Sequence, residues 1–120
     1  MRTPHGEYPE YHSSADNLNF VKSDSLARSY ALCLEVFELL EANRTYVNQN
    51  PKCEPQLGRR GLYRAIAGQQ DKQSKELALL WVLNASDGQH SLLDIAERGG
   101  LPFGRIQAAA GSLMAVGLLK

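Results

Sequence analysis

The sequence predicts a mainly α-helical fold: one long helix followed by a small domain of three shorter ones. Three observations carry this expectation. Leu26, Tyr30, Cys33, Phe37 and Leu40 recur at steps of four, three, four and three, which traces one stripe along a helix. Ser91-Leu92-Leu93-Asp94 has the form of a capping box at a helix start. Gly99-Gly100 then reads as a helix stop, and Pro102 suits the first turn of the next helix, whose stripe is Phe103, Ile106, Ala110 and Leu113.

Composition narrows the class. The 120 residues leave room for one ordinary domain or two very small ones, and 43% hydrophobic against 22% charged residues describes a globular chain. Thirteen basic and thirteen acidic residues balance to a net charge of +0, which argues against non-specific nucleic-acid binding. Two cysteines, Cys33 and Cys53, are too few for a disulfide scaffold and form no zinc pattern. No apolar run reaches spanning length, and Met1 to Gly6 has no apolar signal core, so the expectation is a soluble cytoplasmic protein with no membrane contact.

The elements follow in order. Met1 to Phe20 carries Tyr8, Tyr11 and Phe20, which is unusually aromatic for a loose terminus and suggests a loop held against something. Val21 to Ser25 supplies capping residues for a helix over 24–43, with Asn43 as its stop. Ala31, Leu34, Val36 and Leu39 broaden its apolar stripe, so this helix expects burial against more than one neighbour. Residues 44–61 read as loop, because Asn50-Pro51, Glu54-Pro55 and Gly58 are breakers. A linker near 56–60 divides the chain into segments 1–56 and 57–120. The first helix of the second segment spans Gln73 to Leu83, with Leu77, Leu80 and Trp81 as its inner face, and Asp87-Gly88 marks a turn.

Two helices joined by Gly99-Gly100-Leu101, with a third to pack on, form the helix-turn-helix layout. Pairing of Gln89-His90 with Leu118-Leu119 would add a minimal ladder and make the domain a winged helix with a minimal wing. A DNA-reading role would put Pro102 to Val116 in the major groove, but base readout favours Arg, Lys, Asn or Gln, and that face offers only Arg105 and Gln107. Residues 72–120 hold five cations against four anions. The small residues from Ala108 to Ser112 instead permit close approach of a protein surface. Contact with protein, including a second copy, is therefore preferred over a small DNA-binding regulator.

The chemically informative segment is Tyr11-His12-Ser13-Ser14-Ala15-Asp16-Asn17. A loop histidine with an acid four residues on can ligate a metal, although such spacing alone more often describes a surface loop held by Asx-type turns. The segment resembles the last metal-ligand motif, His-Thr-x-x-Asp, of the co-catalytic di-zinc aminopeptidases. The longer run Arg2-Thr3-Pro4-His5-Gly6-Glu7-Tyr8-Pro9-Glu10-Tyr11-His12 is similar to the bacterial aminopeptidase-like branch associated with polysaccharide biosynthesis, which ends in a winged helix. Residues Glu54 to Tyr63 and Ser91 to Ala96 resemble the same branch.

The resemblance implies that His12 sits at the family's final zinc-ligand position and that Asp16 fixes the loop rather than ligating. It makes Tyr11, beside the ligand, a candidate to place its phenol near a developing oxyanion. Ser13 replaces the usual threonine and keeps the hydroxyl. A co-catalytic zinc pair needs further ligands and a general base, and Glu7, Glu10 and Asp24 match none of those positions. The implied reading is the C-terminal portion of a longer zinc-dependent protein, inactive by itself and without zinc of its own. Its long helix would then pack on the missing catalytic domain. Among the rest, Cys33 is expected in the core, Cys53 as an exposed thiol, and His5 and His90 as loop residues. Arg59-Arg60 with Arg64 is the one basic cluster, read as a solvated linker or a partner contact.

Overall fold

The computed structural model describes residues 3, 4, 6–63 and 69–120. It divides into two compact units, Met1–Leu40 and Glu41–Lys120. Four helices and two short strands are found among the described residues: α1 (Ser23–Ala42), β1 (Thr45–Val47), α2 (Gln69–Ala85), β2 (Asp87–Ser91), α3 (Leu92–Gly99) and α4 (Phe103–Ala115). The fold is the mainly helical one the sequence implies.

The first unit is a chain of tight turns followed by α1. Its helix runs over the residues that the stripe marks, but none of its side chains is buried. Tyr30 and Phe37 are 67% and 60% exposed, and Leu26, Leu32 and Leu40 are comparably open. Cys33, expected in a core, is exposed with them.

The second unit holds the core. Ala78, Leu79, Val82 and Leu83 of α2 meet Leu92, Ile95 and Ala96 of α3, and Ile106, Ala109, Ala110 and Leu113 of α4. Leu57, Leu118 and Leu119 complete it. The α2 face therefore differs from the expected one: Leu77 and Leu80 are 44% and 47% exposed, and Trp81 is half-buried. Residues 77–83 are apolar on every side, so composition there does not select a face. The stripe through Leu77, Leu80 and Trp81 runs on into exposed Asn84, whereas Ala78, Leu79 and Val82 face α3 and α4.

Local chemistry sets the helix ends. Ser91 caps α3 from an extended conformation, its Oγ accepting from the Asp94 amide while the Asp94 carboxylate accepts from the Ser91 amide at 2.8 Å. Gly100 ends α3 at φ 60, where its amide donates to the carbonyls of Ala96 and Glu97. Left-handed backbone of this kind is costly for any residue with a Cβ. Pro102 then starts α4.

The ladder also differs from the expected one. Gln89-His90 and Leu118-Leu119 do not pair with each other; β1, in the segment expected to be loop, bonds to both. It runs antiparallel to β2, with Thr45 opposite Ser91 and Val47 opposite Asp87 across an irregularity. On its other flank Asn48 bridges Leu119, and Val47 exchanges amide–carbonyl bonds with Lys120 at 2.8 and 3.1 Å. Gly88 allows the close approach at the end of β2, having φ 85 and a position where a Cβ would lie 3.1 Å from Val47 Cγ2. The units accordingly meet at Leu40–Glu41, upstream of the expected linker at 56–60. Leu57, at the start of the expected second segment, is fully buried, and residues 41–56 ahead of it already belong to the second unit.

Candidate functional site

The His12 loop is built from consecutive turns. The amides of Glu7, Tyr11, Ser13 and Asp16 each donate to the carbonyl three residues back at 3.1–3.2 Å. Ser13 Oγ donates to the Glu10 carbonyl at 2.7 Å and accepts from the Ala15 amide at 3.2 Å. Asn17 Nδ2 donates to the Ser14 carbonyl at 2.8 Å, and its Oδ1 accepts from the Asn19 amide at 2.9 Å. These short polar side chains take up backbone groups that no helix or strand satisfies.

Within this frame His12 adopts φ 57, a left-handed conformation that is uncommon outside glycine. Its exposed imidazole stands edge-on to the Tyr11 ring at 4.2 Å between centroids. Tyr11 in turn meets Tyr8 edge-on at 5.6 Å, and Tyr8 stacks on Phe20 at 5.6 Å. The loop's aromatics thus pack on one another. Partial desolvation first, then the negative charge of Asp16, push the Tyr8 hydroxyl above its ordinary pKa. Asp16 is exposed, and its amide closes the turn on Ser13. His5 lies outside the described residues.

The donor set of this loop does not by itself fit a zinc ion. Catalytic zinc takes about three protein ligands. The loop offers one imidazole with a single carboxylate four residues on, and among the described residues no three His, Cys, Asp or Glu side chains gather.

The second candidate surface is α4. Gly104, Gln107, Ala108, Gly111, Ser112 and Ala115 are exposed, and Arg105 is half-buried. Gln107 is the one amide side chain there. Arg105 lies in the wall of a cavity of about 330 Å³ with Leu62, Lys75 and Leu79. A surface of glycine, alanine and serine presents few groups able to read base edges.

Of the basic cluster, Arg60 is tied inward: Nε donates to the Pro55 carbonyl and Nη1 to the Val116 carbonyl, both at 3.1 Å. Arg64 lies outside the described residues. Cys53 is an exposed thiol, at φ 65. His90 lies in β2 rather than in a loop, and its Nδ1 is 2.9 Å from Asp87 Oδ2. The Gln89 and His90 amides, followed by the His90 ring, hold the Asp87 carboxyl down at about 2. One feature has no counterpart in the sequence patterns: a cavity of about 470 Å³ between the 47–55 segment and the end of α2. Among the described residues no helix is long and apolar enough to cross a membrane.

A three-helix core closed by a short antiparallel ladder is the architecture of a winged helix-turn-helix domain, and the sequence of residues 44–120 matches that family. The chain belongs to the winged helix-turn-helix family. Residues 1–43 match a separate family, a domain of unknown function, DUF4910. Across all 120 residues the chain is 55% identical to a Clostridium acetobutylicum protein named "Putative polysaccharide biosynthesis protein with aminopeptidase-like domain". It covers 100% of this chain and spans only 27% of that relative's length. A crystal structure of a "putative peptidase" from Clostridium acetobutylicum superimposes with a TM-score of 0.78 at 51% identity, over 94% of this chain and 24% of the other.

Proposed function

We propose that this chain works as the C-terminal part of a longer, zinc-dependent aminopeptidase-like hydrolase. In that reading His12 is one ligand of a metal centre whose other ligands come from the rest of the polypeptide, with Asp16 fixing the loop and Tyr11 beside the site. Helix α1 covers the catalytic domain, and the winged-helix unit serves as a docking or self-association module.

The observation that carries the reading is α1: a 20-residue helix with no buried residue and an apolar surface over most of its girth. Contiguous exposed apolar surface of this kind marks a face made to be covered. The left-handed backbone at His12 supports the same reading, because strained loop residues persist where the side chain's aim is used. The named relative aligns with all 120 residues over only 27% of its own length, so it has further chain to supply both the covering surface and the missing ligands.

The test is metal analysis of the longer polypeptide. Wild type is expected to retain zinc and hydrolyse aminoacyl substrates, and His12→Ala to lose zinc with the melting temperature of the winged-helix unit unchanged. Full zinc retention by His12→Ala would overturn the assignment. The 120-residue chain alone is expected to hold no stoichiometric zinc and to cleave no aminoacyl substrate. DNA binding is the second reading, favoured by the family match alone; it requires salt-sensitive retardation of duplex DNA that Arg105→Ala and Gln107→Ala weaken.

A further inference from the structure

Four rings stand in line along the His12 loop. Phe20 stacks on Tyr8 with 20° between planes and 5.6 Å between centroids. Tyr8 meets Tyr11 edge-on at 70° and 5.6 Å, and Tyr11 meets the His12 imidazole edge-on at 80° and 4.2 Å. Stacked and edge-on aromatic pairs attract one another beyond the area that they bury. Tyr8 and Tyr11 are half-buried, whereas His12, at the end of the line, is exposed.

Each ring is placed by the one before it. Phe20 lies just ahead of α1, its amide donating to the Asn17 carbonyl at 2.9 Å. The stack of Tyr8 on Phe20 therefore ties the start of the loop to its end. The Tyr8 carbonyl also accepts from the Tyr11 amide at 3.2 Å, which holds the two tyrosines in one turn. His12 then leaves the turn at φ 57, a conformation that disfavours any residue with a Cβ. A ligating imidazole is ordinarily oriented by a hydrogen bond to its second nitrogen. Here the His12 ring abuts an aromatic ring, and that ring is set by Tyr8.

We propose that Tyr8 is a positioning residue for His12: its ring, braced by Phe20, sets the attitude of Tyr11 and through it the aim of the imidazole. This role rests on the assignment of His12 as a metal ligand made above. The ring rather than the hydroxyl performs the task, because both aromatic contacts of Tyr8 are between rings. Phenylalanine serves at this position, and leucine, apolar but without a π-face, does not.

The test is nuclear magnetic resonance of the ¹³C,¹⁵N-labelled full chain. Wild type is expected to show His12 ring signals displaced from their free-peptide positions, with cross-relaxation between the His12 and Tyr11 ring protons. Tyr8→Phe is expected to keep both features. Tyr8→Leu is expected to lose both, while the α1 amides beyond the first turn stay in place. The role is overturned if Tyr8→Leu leaves the His12 ring signals unchanged, or if Tyr8→Phe moves them as far as Tyr8→Leu. It is overturned as well if Tyr8→Leu displaces the α1 amides throughout, which would make Tyr8 a support of the whole unit. In the longer polypeptide, Tyr8→Leu is expected to weaken zinc binding about tenfold, as loss of a group that orients a metal ligand does, and Tyr8→Phe to leave it at the wild-type value. Zinc released by His12→Ala but held unchanged by Tyr8→Leu would also overturn the role. Zinc retained in full by His12→Ala would overturn the metal assignment alone, and the resonance spectra would still decide whether Tyr8 aims the imidazole.

Discussion

The side-chain amide of Asn48 donates to the carbonyl of Leu83 at 2.8 Å, joining the end of β1 to the last turn of α2. Carbonyls in that turn have no partner within the helix. Asn48 Oδ1 meanwhile accepts from the Asn50 amide at 2.9 Å, so both ends of the side chain are used. Asn48→Ala is expected to lower the unfolding free energy by about 1–2 kcal/mol, measured by urea denaturation. Asn48→Asp should cost more, because it sets a carboxylate against the Leu83 carbonyl. Equal stability of the three proteins would show that α2 does not depend on this cap.

Asp87 gives the fold a defined acid response. Its folded pKa is depressed from 3.8 to about 2, first by the Gln89 amide and next by the His90 amide. A depressed carboxyl contributes stability that is present above its unfolded pKa and lost as pH falls through the folded value. Asp94 is lowered as well, by the Ser91 hydroxyl and amide. Stability should therefore decline between about pH 4 and pH 2. Asp87→Asn should flatten that part of the profile, and a denaturation series over this window that is identical for the two proteins would refute the assignment.

Legibility in the sequence followed the range of the interactions. The ends of α3 and the start of α4 are set by contacts within a few residues, at Ser91, Asp94, Gly100 and Pro102, and each was readable. Strand β1 was not: Thr45-Tyr46-Val47 sits among loop-forming residues, and its partners Asp87, Ser91 and Lys120 lie far along the chain. The inner face of α2 was hidden because leucine, alanine and tryptophan surround the helix. In the His12 loop the turn-forming serines and asparagines were visible, while the left-handed φ of His12 and the mutual packing of Tyr8, Tyr11 and Phe20 needed coordinates. The buried hydroxyl of Ser86, which finds no hydrogen-bond partner among the described residues, leaves no mark in sequence, since serine before an Asp-Gly turn is unexceptional.

Arg60 and Arg59 are adjacent in sequence and different in physics. Arg60 straps the 55–60 turn to the end of α4 through the Pro55 and Val116 carbonyls. Arg60→Ala should lower the stability of the second unit by about 0.5–1.5 kcal/mol, the worth of a typical net hydrogen bond. Arg59→Ala should leave it unchanged. Chemical denaturation of both variants checks this, and equal losses would mean that the cluster acts through charge rather than through the strap.

The boundary of the second unit makes the most demanding prediction. If β1 is integral to the winged helix, a polypeptide of residues 41–120 should unfold in one cooperative step, and one of residues 57–120 should not. The shorter chain keeps Leu57 and all three core helices, yet it loses every ladder bond on both flanks of β1. The Ser86 and Leu118 carbonyls lose their amide donors, and the Leu92 amide loses the Arg44 carbonyl that it meets at 2.9 Å. The Leu93 amide also loses Asn43 Oδ1, at 2.9 Å. Removing several partners at once, each leaving a polar group behind, outweighs the few kcal/mol by which a domain this small is stable. Circular dichroism should show the 57–120 chain melting over a broad range with reduced helix content. A sharp transition at the midpoint of residues 41–120 would mean that the three helices suffice and that β1 is an accessory to them.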